Sequence, residues 1–170
     1  MAHLKRILKP GAKFTLIYNA KRDGWKVEDF HKFCDGQGPT ICLFRSSVGN
    51  RFGGFTEVPW SNKGYYKDDK ASFIFSLDER ELLYTPSNAQ HAVFHLHTYG
   101  PSFGAEDLGL TGEMMNSKDA GVCHIRTDRA YRDIPTDAIG NHYLTGEGRG
   151  KDNLAKRFTC TDLEVYKVTY

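Results

Sequence analysis

"TICLFRSSVGNRFGGFTEV", residues 40–58, is the stretch on which the fold turns. Two largely apolar arms flank the turn sequence Val48-Gly49-Asn50, a pattern that predicts a β-hairpin. The second arm carries Gly53 and Gly54 between Phe52 and Phe55. Two glycines inside a strand predict a bulge or the close approach of another backbone. A phosphate-cradling loop would need a following helix and usually a lysine. "FTEVPW" supplies neither, so both glycines read as structural.

Upstream, "KFTLIYNA" alternates, with Phe14, Leu16 and Tyr18 on one face of a strand and Thr15 and Ile17 on the other. After Arg22-Asp23-Gly24 the period becomes helical, with Val27, Phe30, Phe33 and Cys34 on one stripe. Gly36 or Gly38, then Pro39, ends that helix. Downstream, "ASFIFSL" predicts a strand pointing Phe73, Phe75 and Leu77 one way. "HAVFHLHTYG" predicts another, with Ala92, Phe94 and Leu96 opposite Val93, His95 and His97. "GVCHIRT" is a weaker strand, and "DLEVYKV" closes the chain with Leu163 and Val165 opposite Glu164, Tyr166 and Val168. No βαβ rhythm is present. The pattern predicts an α+β fold, a sandwich of two mainly antiparallel β-sheets flanked by short helices. Residues 1–170 read as one domain, with excision from a longer protein as an open alternative. Its leader, 1–10, contains a short helical segment, "LKRIL", and residues 136–157 are a variable loop with a helical turn near Asn153–Arg157.

Composition narrows the function classes. Lysine and arginine outnumber aspartate and glutamate by 23 to 21, too even for the basic patch that nucleic acid demands. No apolar run approaches the ~20 residues that span a bilayer. Four cysteines, Cys34, Cys42, Cys123 and Cys160, show no CxxC spacing, which predicts reduced thiols and a cytoplasmic setting.

The chemistry-bearing residues are few. His31, Cys34 and Asp35 lie close enough on one helix to suggest a nucleophile with its base and orienter. Cys34, however, shares the apolar stripe and sits at a helix C-terminus, whose partial negative charge disfavours a thiolate. A buried structural cysteine is the expectation. His95 and His97 are weak metal candidates as alternate residues of one strand; His91 on the same strand is about 20 Å from His97, far beyond ligand reach. Solvent-facing histidines are the expectation there. Glu106, Asp107 and Glu113 lack the spacing of a calcium loop. Asp35 is expected to bond amides of the following "GQG" turn, and Glu164 to be partly buried and hydrogen-bonded. No catalytic constellation, cofactor or small-molecule substrate is expected.

Several separated stretches resemble one family, the TLDc domain of eukaryotic oxidation-resistance-type proteins. "IYNAKRDGWKVEDFHKFCDGQGPTICLFRSSVGNRFGGFTEVPW" looks like its long N-terminal signature, while "SFIFSL", "YGPSFGAEDLGL" and "DLEVYKV" are similar to its later blocks. The motif positions that carry the resemblance are Cys34, Asp35, Gly36, Gly38, Pro39, Gly53, Gly54, Pro59, Trp60, Gly100, Pro101, Phe103, Gly104 and Glu164. Lys26 departs from it where a small N-cap residue is usual, as does "GAEDL" where a longer glycine run with a histidine is usual. The resemblance implies protection against oxidative damage without enzymatic chemistry. It also implies binding to cytosolic-sector subunits of the vacuolar proton ATPase, with disassembly or inhibition. The location implied is cytoplasmic, with recruitment to endolysosomal or vacuolar membranes and no insertion into them. Partner contacts are expected on loops, at Arg22, Asp23, Gly24, Asn62, Lys63, Glu106 and Asp107. The alternatives are a thiol-based scavenger using Cys34 and a scaffolding domain of a larger trafficking or signalling protein.

Overall fold

The hairpin at residues 40–58 forms as β2 (Thr40–Ser46) and β3 (Arg51–Thr56), paired from Thr40↔Thr56 to Arg45↔Arg51. The structure, a computed structural model, describes residues 8–78, 83–104, 107–111, 121–125, 131 and 156–170. "LKRIL" before Leu8, most of the 136–157 loop, Ala105, Glu106 and Glu113 lie outside them.

Eleven strands occur among the described residues: β1 (Lys13–Asn19), β2, β3, β4 (Tyr66–Lys67), β5 (Phe73–Ser76), β6 (Leu83–Tyr84), β7 (Val93–Phe94), β8 (Tyr99–Phe103), β9 (Leu108–Thr111), β10 (Gly121–Ile125) and β11 (Lys156–Thr169). Two short helices, α1 (Ala20–Asp23) and α2 (Val27–Cys34), follow β1, and a 3₁₀ turn spans Ala89–His91. The strands pair antiparallel in the order β4-β7-β8-β9-β10-β11-β2-β3-β5-β6, and β1 pairs with β11. Together they form the expected α+β sandwich of two antiparallel layers.

β11 joins the layers. Lys156–Cys160 pairs with β10, Glu164–Thr169 pairs with β1 along the same edge, and Cys160–Lys167 pairs with β2 along the other. The strand therefore starts at Lys156, where the sequence predicts loop and helical turn; pairing of Lys156 and Arg157 with Ile125 and His124 of β10 overrides that local reading. Val165 and Leu163 face the larger core with Phe44, Phe52, Ile74, Phe103, Leu108 and Leu110. Val168 faces a second, smaller core with Ile41, Phe55, Phe73 and Phe75. Both faces of the β11-β2-β3-β5 layer are thus buried, which explains the near-continuous apolar runs in β2, β3 and β5.

Two expectations need correction. The alternation of β1 breaks at a bulge between Leu16 and Tyr18, so Phe14 packs on the smaller core while Ile17 and Tyr18 both pack on the larger. "HAVFHLHTYG" is also not one strand: β7 ends at Phe94, and a turn closed by Tyr99 N–H donating to Leu96 O (2.9 Å) separates it from β8. The glycines of β3 behave as close-approach residues. A Cβ on Gly53 would run into the Cys42 carbonyl, and one on Gly54 into the Phe103 ring of the facing layer.

Candidate functional site

α2 begins and ends at the predicted residues. Its start is held by Asp29, whose carboxylate accepts from the Lys26 N–H (3.2 Å), so a residue inside the first turn does the work a small N-cap would do. Its end is the Gly36 turn, where Gly36 takes a positive φ of 71° and its N–H donates to Trp60 O (2.9 Å). That bond ties the helix terminus to Trp60. The Trp60 indole N–H donates to Thr40 Oγ1 (2.8 Å), and the ring meets Phe30 and Phe103 edge-on at 5.6 and 5.7 Å.

Against this frame the Cys–His–Asp cluster resolves differently from a nucleophilic site. Cys34 is fully buried in the larger core, and burial, with the nearby Asp35 charge, pushes its thiol well above the ordinary range. Cys42 is raised in the same direction by burial, and Cys160 is also buried. His31 turns to Asp35: its Nδ1 lies 2.7 Å from Asp35 Oδ1. Asp35 therefore serves the imidazole, not the amides of the "GQG" turn, because the (i, i+4) spacing brings the two side chains together on the helix.

The His31–Asp35 geometry matches a general base with its orienter. Its second nitrogen decides against that use. His31 Nε2 is held by two main-chain carbonyls, Tyr99 O at 3.0 Å and Leu96 O at 3.2 Å, leaving no lone pair or proton for a substrate. The pair lines a cavity of about 270 Å³ together with Glu28, Lys32, Asn62 and His97.

The two weak metal candidates do not share a face. His95 is buried, correcting the expected solvent-facing position, whereas His97 is exposed at the cavity wall. The turn that interrupts the expected strand separates them. His95 lies against Trp60 (5.2 Å between rings) and Nδ1 is 3.1 Å from Ser61 Oγ. Burial first, then the Lys67 and His31 charges, holds His95 down at about 4. Ser61 is a residue the sequence reading missed; its only signal was its place beside Trp60. Among the described residues no group of three metal-ligating side chains converges.

The remaining expected contacts are dispersed. Arg22 and Asp23 are engaged with each other through Nε–Oδ1 and Nη2–Oδ2 bonds of 2.7 Å, and Gly24 closes α1 with a φ of 111°. Asn62 lines the cavity and Lys63 is exposed beside it. Asp107 is not a surface residue: it is buried, and its carboxylate accepts from the Tyr131 N–H (2.9 Å). Glu164 is half-buried and accepts from Asn19 Nδ2 (3.2 Å) and the Tyr166 hydroxyl (2.8 Å), as expected.

This arrangement, with the signature residues locking α2, Trp60 and the β2–β3 hairpin together, coincides with a family match. The family model described as TLDc domain matches residues 1–169. The chain belongs to the TLDc domain family. Curated relatives of this TLDc chain include the "MTOR-associated protein MEAK7" of Xenopus laevis, 28% identical over 104 residues, and of Gallus gallus, 26% identical over 104 residues. Each match covers 59% of this chain. The protein of the same name from Danio rerio is 24% identical over 102 residues, or 60% of this chain. The matches span 21–22% of those relatives' own length. No helix among the described residues of this TLDc domain is long and apolar enough to cross a membrane.

Proposed function

We propose that this TLDc domain is a non-catalytic protein-interaction module of oxidative-stress protection. It acts in the cytoplasm, with recruitment to endolysosomal or vacuolar membranes through its partner. That partner is the cytosolic sector of the vacuolar proton ATPase, and the effect is inhibition or disassembly. The observation that carries the non-catalytic part is His31: the imidazole oriented by a carboxylate has its other nitrogen committed to the carbonyls of Leu96 and Tyr99. Regulation by docking requires tighter binding to one assembly state than to the other. Arg22, Asn62 and Lys63 offer polar loop contacts for it. A pull-down with the 170-residue chain recovers subunits of the cytosolic sector and lowers ATP hydrolysis; recovery of none overturns the partner.

The scavenger reading through Cys34 is disfavoured by burial of Cys34, Cys42 and Cys160. A fold-checked variant with all four cysteines replaced should retain protection. The relatives' name and length favour a second reading, a docking domain within a longer signalling protein of mTOR association. The same pull-down separates the two: a kinase complex without ATPase subunits selects the second.

A further inference from the structure

A second cavity, of about 230 Å³, lies where β3, β2 and β11 run side by side. Leu43 and Arg45 alternate along β2 and so share a face of the sheet. Across the ladders Leu43 opposes Glu164, and Arg45 opposes Asp162 on one side and Arg51 on the other. The cavity walls therefore carry two cations, Arg45 and Arg51, and two anions, Asp162 and Glu164. These four groups are not paired with one another. Arg51 is forked onto Asp78 Oδ1 through Nε (3.0 Å) and Nη2 (2.7 Å). Asp162 Oδ2 meets Lys21 Nζ at 3.2 Å, while Asp162 Oδ1 is buried with no hydrogen-bond partner among the described residues. Glu164 accepts one bond on each oxygen, from Asn19 and Tyr166, out of the about four that a carboxylate can accept. Arg45 is exposed, and among the described residues its guanidinium makes no hydrogen bond or ion pair. Donors on one wall and acceptors on the other are thus left over in the same cavity.

We propose that this cavity binds a free α-amino acid with an aliphatic side chain, held as its zwitterion with the carboxylate on Arg45, the ammonium on the Asp162–Glu164 wall and the side chain on Leu43. A purely anionic ligand would meet the two carboxylates, and a purely cationic one the two guanidiniums; a ligand with both charges finds an opposite charge on each wall. The planar fork of arginine matches a carboxylate in two parallel bonds. Arg45 and Glu164 are diagonal neighbours on one face, with Cβ atoms about 7–8 Å apart, so one head group reaches both. The volume is below the ~300–1,000 Å³ of sites for drug-sized ligands, which selects a small one. Leu43 supplies the apolar contact, being half-buried against the smaller core. The bound amino acid bridges β2 to β11, the strand that joins the two layers.

An NMR titration of the ¹⁵N-labelled 170-residue chain with L-leucine tests the site. The amide signals of Leu43, Arg45, Asp162 and Glu164 should shift together and saturate. N-acetyl-leucine lacks the positive charge and leucinamide the negative one; each should bind about tenfold more weakly, the size of one lost charge-assisted hydrogen bond. Glycine, without the side chain, and leucyl-glycine, with its charges farther apart, should also bind more weakly than leucine. Arg45→Gln should weaken leucine binding about tenfold and leave the ligand-free melting temperature unchanged, because the side chain it removes has no partner to lose. No saturable shift up to the solubility limit of leucine overturns the proposal, as does undiminished binding by Arg45→Gln. Equal binding of either singly charged analogue identifies a simple ion site, equal binding of leucyl-glycine a peptide site, and equal binding of glycine removes the aliphatic contact; each of these overturns it too.

Discussion

His31 and His95 lie in one aromatic chain, His31 to Phe30 at 5.3 Å, Phe30 to Trp60 at 5.6 Å and Trp60 to His95 at 5.2 Å, yet their ring nitrogens meet opposite surroundings. His31 is surrounded by acceptors. Among the described residues, His95 has a hydroxyl on one nitrogen and no hydrogen-bond partner on the other. The Ser61 hydroxyl donates to Lys63 O (2.8 Å), so its oxygen accepts from the His95 Nδ1–H and leaves Nε2 as a bare, buried lone pair. Charging that ring would bury a cation with no partner for its second N–H, which is why His95 stays neutral down to about 4. Burial comes first in keeping His95 neutral, the Lys67 and His31 charges add to it, and no hydrogen bond at Nε2 among the described residues offsets the cost.

Trp60 separates the two rings, so removing it is the most damaging way to break the contrast. Trp60→Ala deletes two edge-on ring contacts, the face on which His95 rests and the bond to Thr40. A loss of about 3–5 kcal/mol is expected from denaturant unfolding. Trp60→Phe should recover most of the packing but not the Thr40 bond, at about 1–2 kcal/mol.

A change of pH probes His95 with a slightly smaller effect. Its folded value of about 4 lies below the ordinary 6.5, so the neutral fold is favoured fully above 6.5 and loses stability as pH falls toward 4. His95→Phe keeps a ring against Trp60 and removes the titration. Relative to that variant, the wild type should lose on the order of 3 kcal/mol between about pH 7 and about pH 4. Equal acid sensitivity of the two proteins would show that His95 charges freely and that its buried nitrogen finds a partner.

This contrast was only half legible in the sequence. The α2 stripe, the β2–β3 hairpin and the paired Gly53 and Gly54 were legible because each is a local pattern or a steric demand at one position. His31 and Asp35 are visible as neighbours, but their spacing points as readily to Cys34, since nothing local reports that Leu96 and Tyr99 carbonyls wait 65 and 68 residues away. His95 was placed on an outer face because alternation was extended through a turn with no glycine or proline at its centre, "HLHT". β11 was seen only from Asp162 onward, because its first half is charged and polar and gains its extended form from β10 and β2 on its flanks.

The smallest effect is expected at His97, and it sharpens the contrast as a control. His97 differs from His95 by two positions, but it is exposed, on the far side of the turn, and contributes its ring to the cavity wall. An exposed histidine of that kind adds no buried area and no charge pair, so His97→Ala should leave the melting temperature at the wild-type value across the acid range. Because His95 points into the core, the two rings cannot close on one ion. Excess Zn²⁺ should therefore shift the melting temperature of wild type and His97→Ala equally. A zinc-dependent stabilisation present in the wild type and lost in His97→Ala would mean that the turn refolds to bring the two rings together, and the separation of their environments would fail with it.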